Sequence, residues 1–260
     1  MRFNVFCKEN SIDQCDKIIK TLVEQGNIFT NDNPEYIISI GGDGTMLRAV
    51  RKYYDVIDHV YFIGINTGEL GFYTDFLPNE ADQIIHSVTC SPNYNHCPLL
   101  EYEMVYKNGS VVRNFALNEI TILNSFRTQI LEVTINDNPF EVFRGTGLLV
   151  STPSGSTAYN KSLGGAVVDI SIEAFQMTEV ASINNRVYQT LGSPILLGKE
   201  SILKLSSPNF NQATLTTDYM FDHLDDVESI KVWLSDKKIK LLTKCNHTFW
   251  HRVKRAFLGK

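Results

Sequence analysis

The chain has 260 residues, 43% hydrophobic and 20% charged, with a net charge of −5. This is the composition of a globular protein with room for one large domain or two modest ones. The negative charge argues against nucleic acid as the main partner, because binding a phosphate backbone needs a surplus of Lys and Arg. No apolar run approaches the roughly 20 residues that span a bilayer, so no membrane partner is expected.

Met1 to Phe6 reads as a first strand rather than the core of a secretion signal, and a cytoplasmic location is expected. Five cysteines are scattered without C-x-x-C spacing, which predicts reduced thiols and neither a disulfide framework nor a zinc site. Phe3 to Lys8 alternates as a strand. Ser11 to Gln25 carries Ile12, Cys15, Ile18, Ile19 and Leu22 at helical spacing, with Ser11 as N-cap and Gly26 past the end. Tyr36 to Ile40 predicts a second strand, which runs into Gly41-Gly42-Asp43-Gly44-Thr45 and then a helix from Met46 to Tyr54. A third apolar strand, Val60 to Ile65, ends in a loop through Asn66, Gly68, Gly71, Phe72 and Tyr73, and Pro78 to Thr89 predicts another helix. Nearly continuous apolar strands separated by helices indicate a parallel sheet covered on both faces, with ligands beyond its carboxyl edge. An α/β nucleotide- and phosphate-binding domain is therefore expected over 1–97.

From Pro98 the pattern changes to short strand-like runs with turn signals at Lys107-Asn108-Gly109-Ser110 and Asn136-Asp137-Asn138-Pro139. The runs are Leu99 to Tyr106, Arg113 to Ile122, Ile130 to Ile135, Phe140 to Arg144, Leu148 to Ser151, Ile195 to Leu197, Ile202 to Leu205, Ala213 to Thr216 and Ile230 to Trp233. They predict a β-rich, sandwich-like domain over 98–242. The segment 243–260 is expected to pack back on the core through a terminal helix, with Trp250, Val253 and Phe257 on one face and basic residues opposite. A short basic amphipathic helix also suits a membrane surface, and docking on a core is the commoner use.

Three stretches carry candidate chemistry. The glycine turn at 41–45 lets backbone amides approach an anion at a helix start, and Asp43 within it suits a metal ion or the proton of an attacking hydroxyl. An ordinary strand-to-helix turn with a capping Asp is the competing reading. Phe72 and Tyr73 either line a site or lie buried under their loop. Asn118-Glu119 offers an amide and a carboxylate for an adenine or a ribose. Thr152-Pro153-Ser154-Gly155-Ser156-Thr157-Ala158-Tyr159, rich in hydroxyls, resembles a turn that opens a helix.

These three stretches, in this order and spacing, resemble the motif set of bacterial NAD kinases. The likeness covers almost the whole chain, including Gly64 to Gly68, Leu70-Gly71-Phe72, Ala181 to Arg186 and Phe249-Trp250. The first motif is shared with lipid kinases and phosphofructokinases; the three together are specific. The resemblance implies ATP- and divalent-metal-dependent phosphorylation of NAD at the adenosine 2′-hydroxyl, with Mg2+ the expected ion. It also implies a homodimer or homotetramer. By resemblance, Asp43 is the base, Gly41, Gly42, Gly44 and Thr45 lie near phosphates, and Asn118, Ser154, Thr157, Ala158 and Tyr159 hold the adenosine half. Glu119 contacts the acceptor ribose or positions metal and ATP. Phe72, Tyr73, Arg144, Thr146 and Asp218 belong to the nucleotide site, with Ser162, Ala181 and Ile183 contributed partly across subunits.

Three positions depart from the family pattern. Arg144-Gly145-Thr146-Gly147 replaces Arg-Gly-Asp-Gly, Gly164-Gly165 is not followed by His-Pro, and Tyr219 stands where relatives have His. These departures fall on the nicotinamide end of the pocket and leave the phosphoryl-transfer end intact. Two other readings stay open at this point: a lipid or sugar kinase of the same superfamily, and a non-catalytic NAD(P)-binding regulator.

Overall fold

The computed structural model describes residues 1–8, 11–68, 71–90, 92–244 and 247–259. Leu70 of the motif Leu70-Gly71-Phe72, and Cys245, one of the five cysteines, lie outside them. The chain divides into two compact units, Met1–Cys97 with Lys237–Lys260, and Pro98–Asp236. The second unit thus ends before 242, and the segment that rejoins the first begins at Lys237.

In the first unit β1 (Arg2–Cys7), β2 (Ile28–Phe29), β3 (Tyr36–Ile40) and β4 (Tyr61–Ile65) form a parallel sheet in the order β2-β1-β3-β4. Helix α1 (Ile12–Glu24) follows β1, α2 (Asp43–Lys52) follows β3, and α3 (Ala81–Thr89) follows the loop after β4. Strand residues alternate between the two faces. Phe3, Ile38, Ile40, Ile63 and Ile65 pack against Cys15, Ile18 and Leu22 of α1 and Ile84 of α3, while α2 buries Met46, Ala49 and Val50 and lies along β1 and β3. Gly26, at φ +82°, ends α1 as a left-handed residue. The chain winds outward from β1 to β2 and then returns to β3, so the sheet's switch point lies between β1 and β3. That is where open α/β sheets bind ligands, at the carboxyl ends of the strands.

The second unit begins in β5 (Tyr94–Tyr106), which pairs with β6 (Val111–Ala116). The expected run from Arg113 to Ile122 is broken: β6 stops at Ala116 and β7 starts at Glu119 (Glu119–Leu123). Next come β8 (Gln129–Ile135), β9 (Asn138–Gly145), β10 (Gly147–Ser151) and the short helix α4 (Tyr159–Ser162). They are followed by β11 (Ala174–Val180), β12 (Ile195–Gly198), β13 (Ile202–Ser206), β14 (Thr214–Thr217), β15 (Met220–His223) and β16 (Val227–Leu242). A six-stranded sheet has the order β12-β11-β10-β7-β14-β15, and β8, β9, β13 and β16 form an opposing antiparallel layer. Ile120, Ile122, Leu148, Val150, Phe175 and Met177 from the first layer meet Leu131, Val133, Phe143, Leu203, Leu205, Ile230 and Val232 in one core. This is the expected sandwich. The Asn136-Asp137 turn takes φ of +49° and +62°, a conformation Asn and Asp tolerate.

β16 runs on into the first unit, where Leu241 and Leu242 pair in parallel with Phe62 and Ile63 of β4. The chain then reaches α5 (Phe249–Phe257). Helix α5 corrects the expectation in one respect. Trp250 is 52% exposed, and the buried residues are Phe249 and Arg252. Arg252 donates from Nε (3.1 Å) and Nη2 (2.7 Å) to the two carboxylate oxygens of buried Asp75. The thiol expectation is corrected as well, since Cys7 and Cys15 are joined in a disulfide with Cα atoms 6.4 Å apart. The end of β1 and the first turns of α1 face each other there. Cys90 and Cys97 are free, and burial pushes the Cys97 thiol up to about 12. Among the described residues no helix is long and apolar enough to cross a membrane.

Candidate active site

The glycine turn sits at the carboxyl end of β3, beside the switch point, and its glycines differ in what they do. Gly41 has φ +155°, and a Cβ on it would stand 2.2 Å from Thr45 Oγ1, so the fold itself requires glycine there. Its amide donates to the Ile65 carbonyl (2.9 Å). At Gly42 and Gly44 a Cβ would meet nothing within 4 Å, and neither has a positive φ. Nothing in the protein demands glycine at these two positions, and the backbone there is open to close approach.

Asp43 is the first residue of α2. Its carboxylate is held from across the site: Oδ2 accepts from the Phe72 amide and Oδ1 from the Tyr73 amide, both at 2.9 Å. The loop that supplies these amides is pinned to β4, because Asp75 and Phe76 both donate to the Gly64 carbonyl and Asn66 donates to that of Phe76. Gly64 permits this, since a Cβ there would lie 1.9 Å from the Tyr73 carbonyl oxygen. Tyr73 is buried and Phe72 half-buried against Phe257, with ring centroids 5.8 Å apart. Their part in the site is therefore made by backbone N–H groups. Arg255 donates to the Gly71 carbonyl at 3.3 Å. Gly71 lies against the same carboxylate, and further along the loop Asp75 pairs with Arg252, two residues that no sequence motif singled out.

In the second unit the break between β6 and β7 is held by Asp218, a non-glycine residue at φ +54°. Its carboxylate accepts from the Leu117 amide (3.0 Å) and the Asn118 amide (2.8 Å), and its own amide donates to the Glu119 carbonyl (3.0 Å). Thr152 clamps the same break, through its amide to the Asn118 carbonyl and its hydroxyl to that of Leu117. Gly155 comes so close that a Cβ would be 2.0 Å from the Asn118 carbonyl oxygen. Ser154, Ser156 and Thr157 are buried in a short 3-10 helix, and their hydroxyls already donate within the protein, to the carbonyls of Leu117, Pro153 and Ser154 respectively. Half-buried Ala158 and 41% exposed Tyr159 follow at the mouth of the turn. Asn160, fully buried, fastens the turn by accepting from the Thr178 hydroxyl at 2.7 Å.

Glu119 is the electrostatic anomaly of this cluster. Burial, with the negative charge of Asp218 behind it, pushes its carboxyl up to about 8, and a backbone hydrogen bond with Tyr159 acts only weakly the other way. Its Oε2 is buried with no hydrogen-bond partner. A buried carboxyl with a free oxygen of this kind can exchange a hydrogen bond with a hydroxyl or amine placed beside it.

Arg144, Thr146, Ala181 and Ile183 form a separate cluster. Thr146 donates its amide to Val180 and Ile183 donates to the Arg144 carbonyl, while the Arg144 guanidinium lies 4.3 Å from the Tyr188 ring centroid. In β10 Ser151 pairs with Glu119 and Gly147 with Leu123, so this cluster and the Asn118-Glu119 cluster lie at opposite ends of one strand, about 13 Å apart. Ser162, Ala181 and Ile183 are exposed. Among the described residues no group of three or more His, Cys, Asp or Glu is placed to hold a metal ion.

A glycine turn at a parallel sheet's switch point, next to an amide-held carboxylate, in a chain with a second, β-rich unit that carries a buried acid, has the build of a nucleotide-dependent phosphotransferase. Residues 6–91 match the ATP-NAD kinase N-terminal domain and residues 117–243 the ATP-NAD kinase C-terminal domain. The chain is 44% identical over 258 residues to the NAD kinase of Streptococcus gordonii, covering 97% of this chain and 93% of that one. It is 42% identical over 258 residues to the NAD kinase of Enterococcus faecalis, covering 97% and 96%. Among solved structures, yeast NADH kinase complexed with NADH superposes with a TM-score of 0.83 at 19% identity, covering all of this chain and 87% of that one. An NAD kinase from Archaeoglobus fulgidus in complex with ATP superposes with a TM-score of 0.75 at 22% identity, covering all of this chain and 98% of that one. This chain belongs to the ATP-NAD kinase family.

Proposed function

We propose that the chain works as a cytoplasmic NAD kinase, transferring the terminal phosphoryl group of ATP to the adenosine 2′-hydroxyl of NAD with Asp43 as general base. The observation that carries the reading is the carboxylate of Asp43, fixed by two backbone amides at the edge of a turn whose Gly42 and Gly44 leave room for phosphates. Each carboxylate oxygen that accepts one amide keeps a second lone pair. One of these takes the proton of the attacking hydroxyl as the new P–O bond forms and the bond between the β- and γ-phosphates of ATP breaks, with ADP leaving. Gly42 and Gly44 let the amides at the start of α2 face the phosphates. Asn118 and the mouth of the 154–159 turn hold the adenosine half, and Glu119 supplies a hydrogen bond to the acceptor ribose.

The residues fit a divalent cation, expected to be Mg2+, that arrives on the donor's phosphates, because such ions are commonly held by one or two carboxylates plus substrate phosphates. Asp43 is the carboxylate at that edge. An ion held there would neutralise charge on the transferring group. The cluster of Arg144, Thr146, Ala181 and Ile183, remote from Glu119 along β10, serves the nicotinamide end of the site of a neighbouring copy, so the working form is a homodimer or homotetramer.

The test is Asp43→Asn, which keeps the shape and removes the basicity. With ATP, Mg2+ and NAD, NADP formation is expected to fall by roughly 10² to 10⁴ while calorimetry still detects NAD binding. An unchanged rate rules Asp43 out as the base.

A further inference from the structure

We propose that Arg252 and Asp75 are positioning residues for the reaction, holding in place the two backbone amides that fix the Asp43 carboxylate. The inference rests on Asp43 being the base, as argued above. Asp75 follows Phe72 and Tyr73 by three and two positions, in the same loop. Its side chain is 2% exposed and its carboxylate takes a two-pronged bond from Arg252, whose side chain is 4% exposed. The Lys244 amide donates to Oδ2 (3.3 Å), and His247 Nδ1 lies 3.3 Å from Oδ1.

The pair is out of proportion to helix docking alone. Phe249 already packs α5 by apolar burial, and a buried ion pair is a poor way to gain stability when an apolar pair of similar size would serve. What a planar fork on a carboxylate does supply is a fixed direction. Here that direction is handed on: Asp75 sets the chain that runs back through Thr74, whose hydroxyl accepts from the Gly71 amide (3.1 Å), to the Tyr73 and Phe72 amides. Arg255, one turn along α5, ties the same loop from the Gly71 carbonyl. The C-terminal helix thereby sets the position of the base without touching it.

The experiment measures steady-state rates of Arg252→Lys, which keeps the charge and loses the fork, and of the neutral hydrogen-bonding pair Asp75→Asn with Arg252→Gln. Circular dichroism establishes that each is folded at the assay temperature, and the double variant is read alone if Arg252→Lys does not fold. We expect Arg252→Lys to lower kcat between about 10-fold and 100-fold, with KM for NAD and for ATP within about twofold. The neutral pair should keep more of kcat than Arg252→Lys. In the Asp43→Asn background either change should have little further effect, because the group being positioned is gone. Wild-type kcat in the folded variants overturns the proposal, and so does a loss that persists in full in the Asp43→Asn background. Full activity of Asp43→Asn itself instead overturns the base assignment on which the proposal stands.

Discussion

Gly71 is pressed against Asp43: a Cβ on Gly71 would stand 2.2 Å from Oδ1 and 2.5 Å from the carboxyl carbon. A side chain at 71 would therefore act on the carboxylate first. Gly71→Ala, with its fold checked by circular dichroism, should lose activity by roughly 10²-fold for a displacement near 1 Å. Wild-type kcat in this variant would show that the carboxylate can move without penalty.

Gly44 makes the opposite kind of prediction. It is the second residue of α2, with open space where a side chain would go, and alanine in a helix is favoured over glycine by about 0.8 to 1.0 kcal/mol. Gly44→Ala should keep or raise Tm while KM for ATP rises or kcat falls, since the methyl occupies the space reserved for phosphates. A variant that gains stability with unchanged kinetics would remove Gly44 from the site.

Glu119 predicts a pH dependence of stability. Its carboxyl rises from 4.5 to about 8 in the folded protein, so the folded state holds more protons than the unfolded state between those values. Stability is therefore fully present below pH 4.5 and falls as pH climbs to about 8, at up to about 1.4 kcal/mol per pH unit. Glu119→Gln removes the ionisation. Its Tm relative to the parent should grow steadily across that window in the absence of nucleotide; a flat difference would contradict the burial argument.

Thr146 stands where the family pattern has Asp, and charge-assisted hydrogen bonds are roughly twice as strong as neutral ones. Thr146→Asp should lower KM for NAD with kcat little changed, because the added contact stabilises ground state and transition state alike. The same cluster predicts complementation between copies. Asp43→Asn mixed and reassembled with Ile183→Glu should regain activity that neither has alone, and light scattering should show more than a 29.4 kDa species. A fully active monomer would contradict both.

The strand, turn and helix around Asp43 are legible in sequence because local periodicity and glycine chemistry coincide there: the predicted strand Tyr36 to Ile40 is the observed β3. β11 was missed because Gln176 and Thr178 are buried along with Phe175 and Met177, which erases the contrast that reveals a half-buried strand. Arg252 was assigned to a polar face because its partner Asp75 lies 177 positions away, and no local pattern encodes such a pairing. The Cys7–Cys15 bond joins positions only eight apart, but scattered cysteines without C-x-x-C spacing carry no pairing signal, and the bond depends on how the end of β1 meets the start of α1. In the hydroxyl-rich turn the composition pointed to ligand binding, whereas the structure engages Ser156 and Thr157 with their own backbone.

The first unit is discontinuous in sequence, made of Met1–Cys97 and Lys237–Lys260. During synthesis at about 5 to 20 residues per second, the strand end at Leu241–Leu242 that extends its sheet, and the Arg252 that neutralises Asp75, emerge only after the whole of Pro98–Asp236 has been made. The unit that begins first is therefore finished last, and Asp75 waits as an uncompensated charge until then. A chain released at 236 would hold every residue of the second unit and a first unit still lacking α5 and the strand end at Leu241–Leu242.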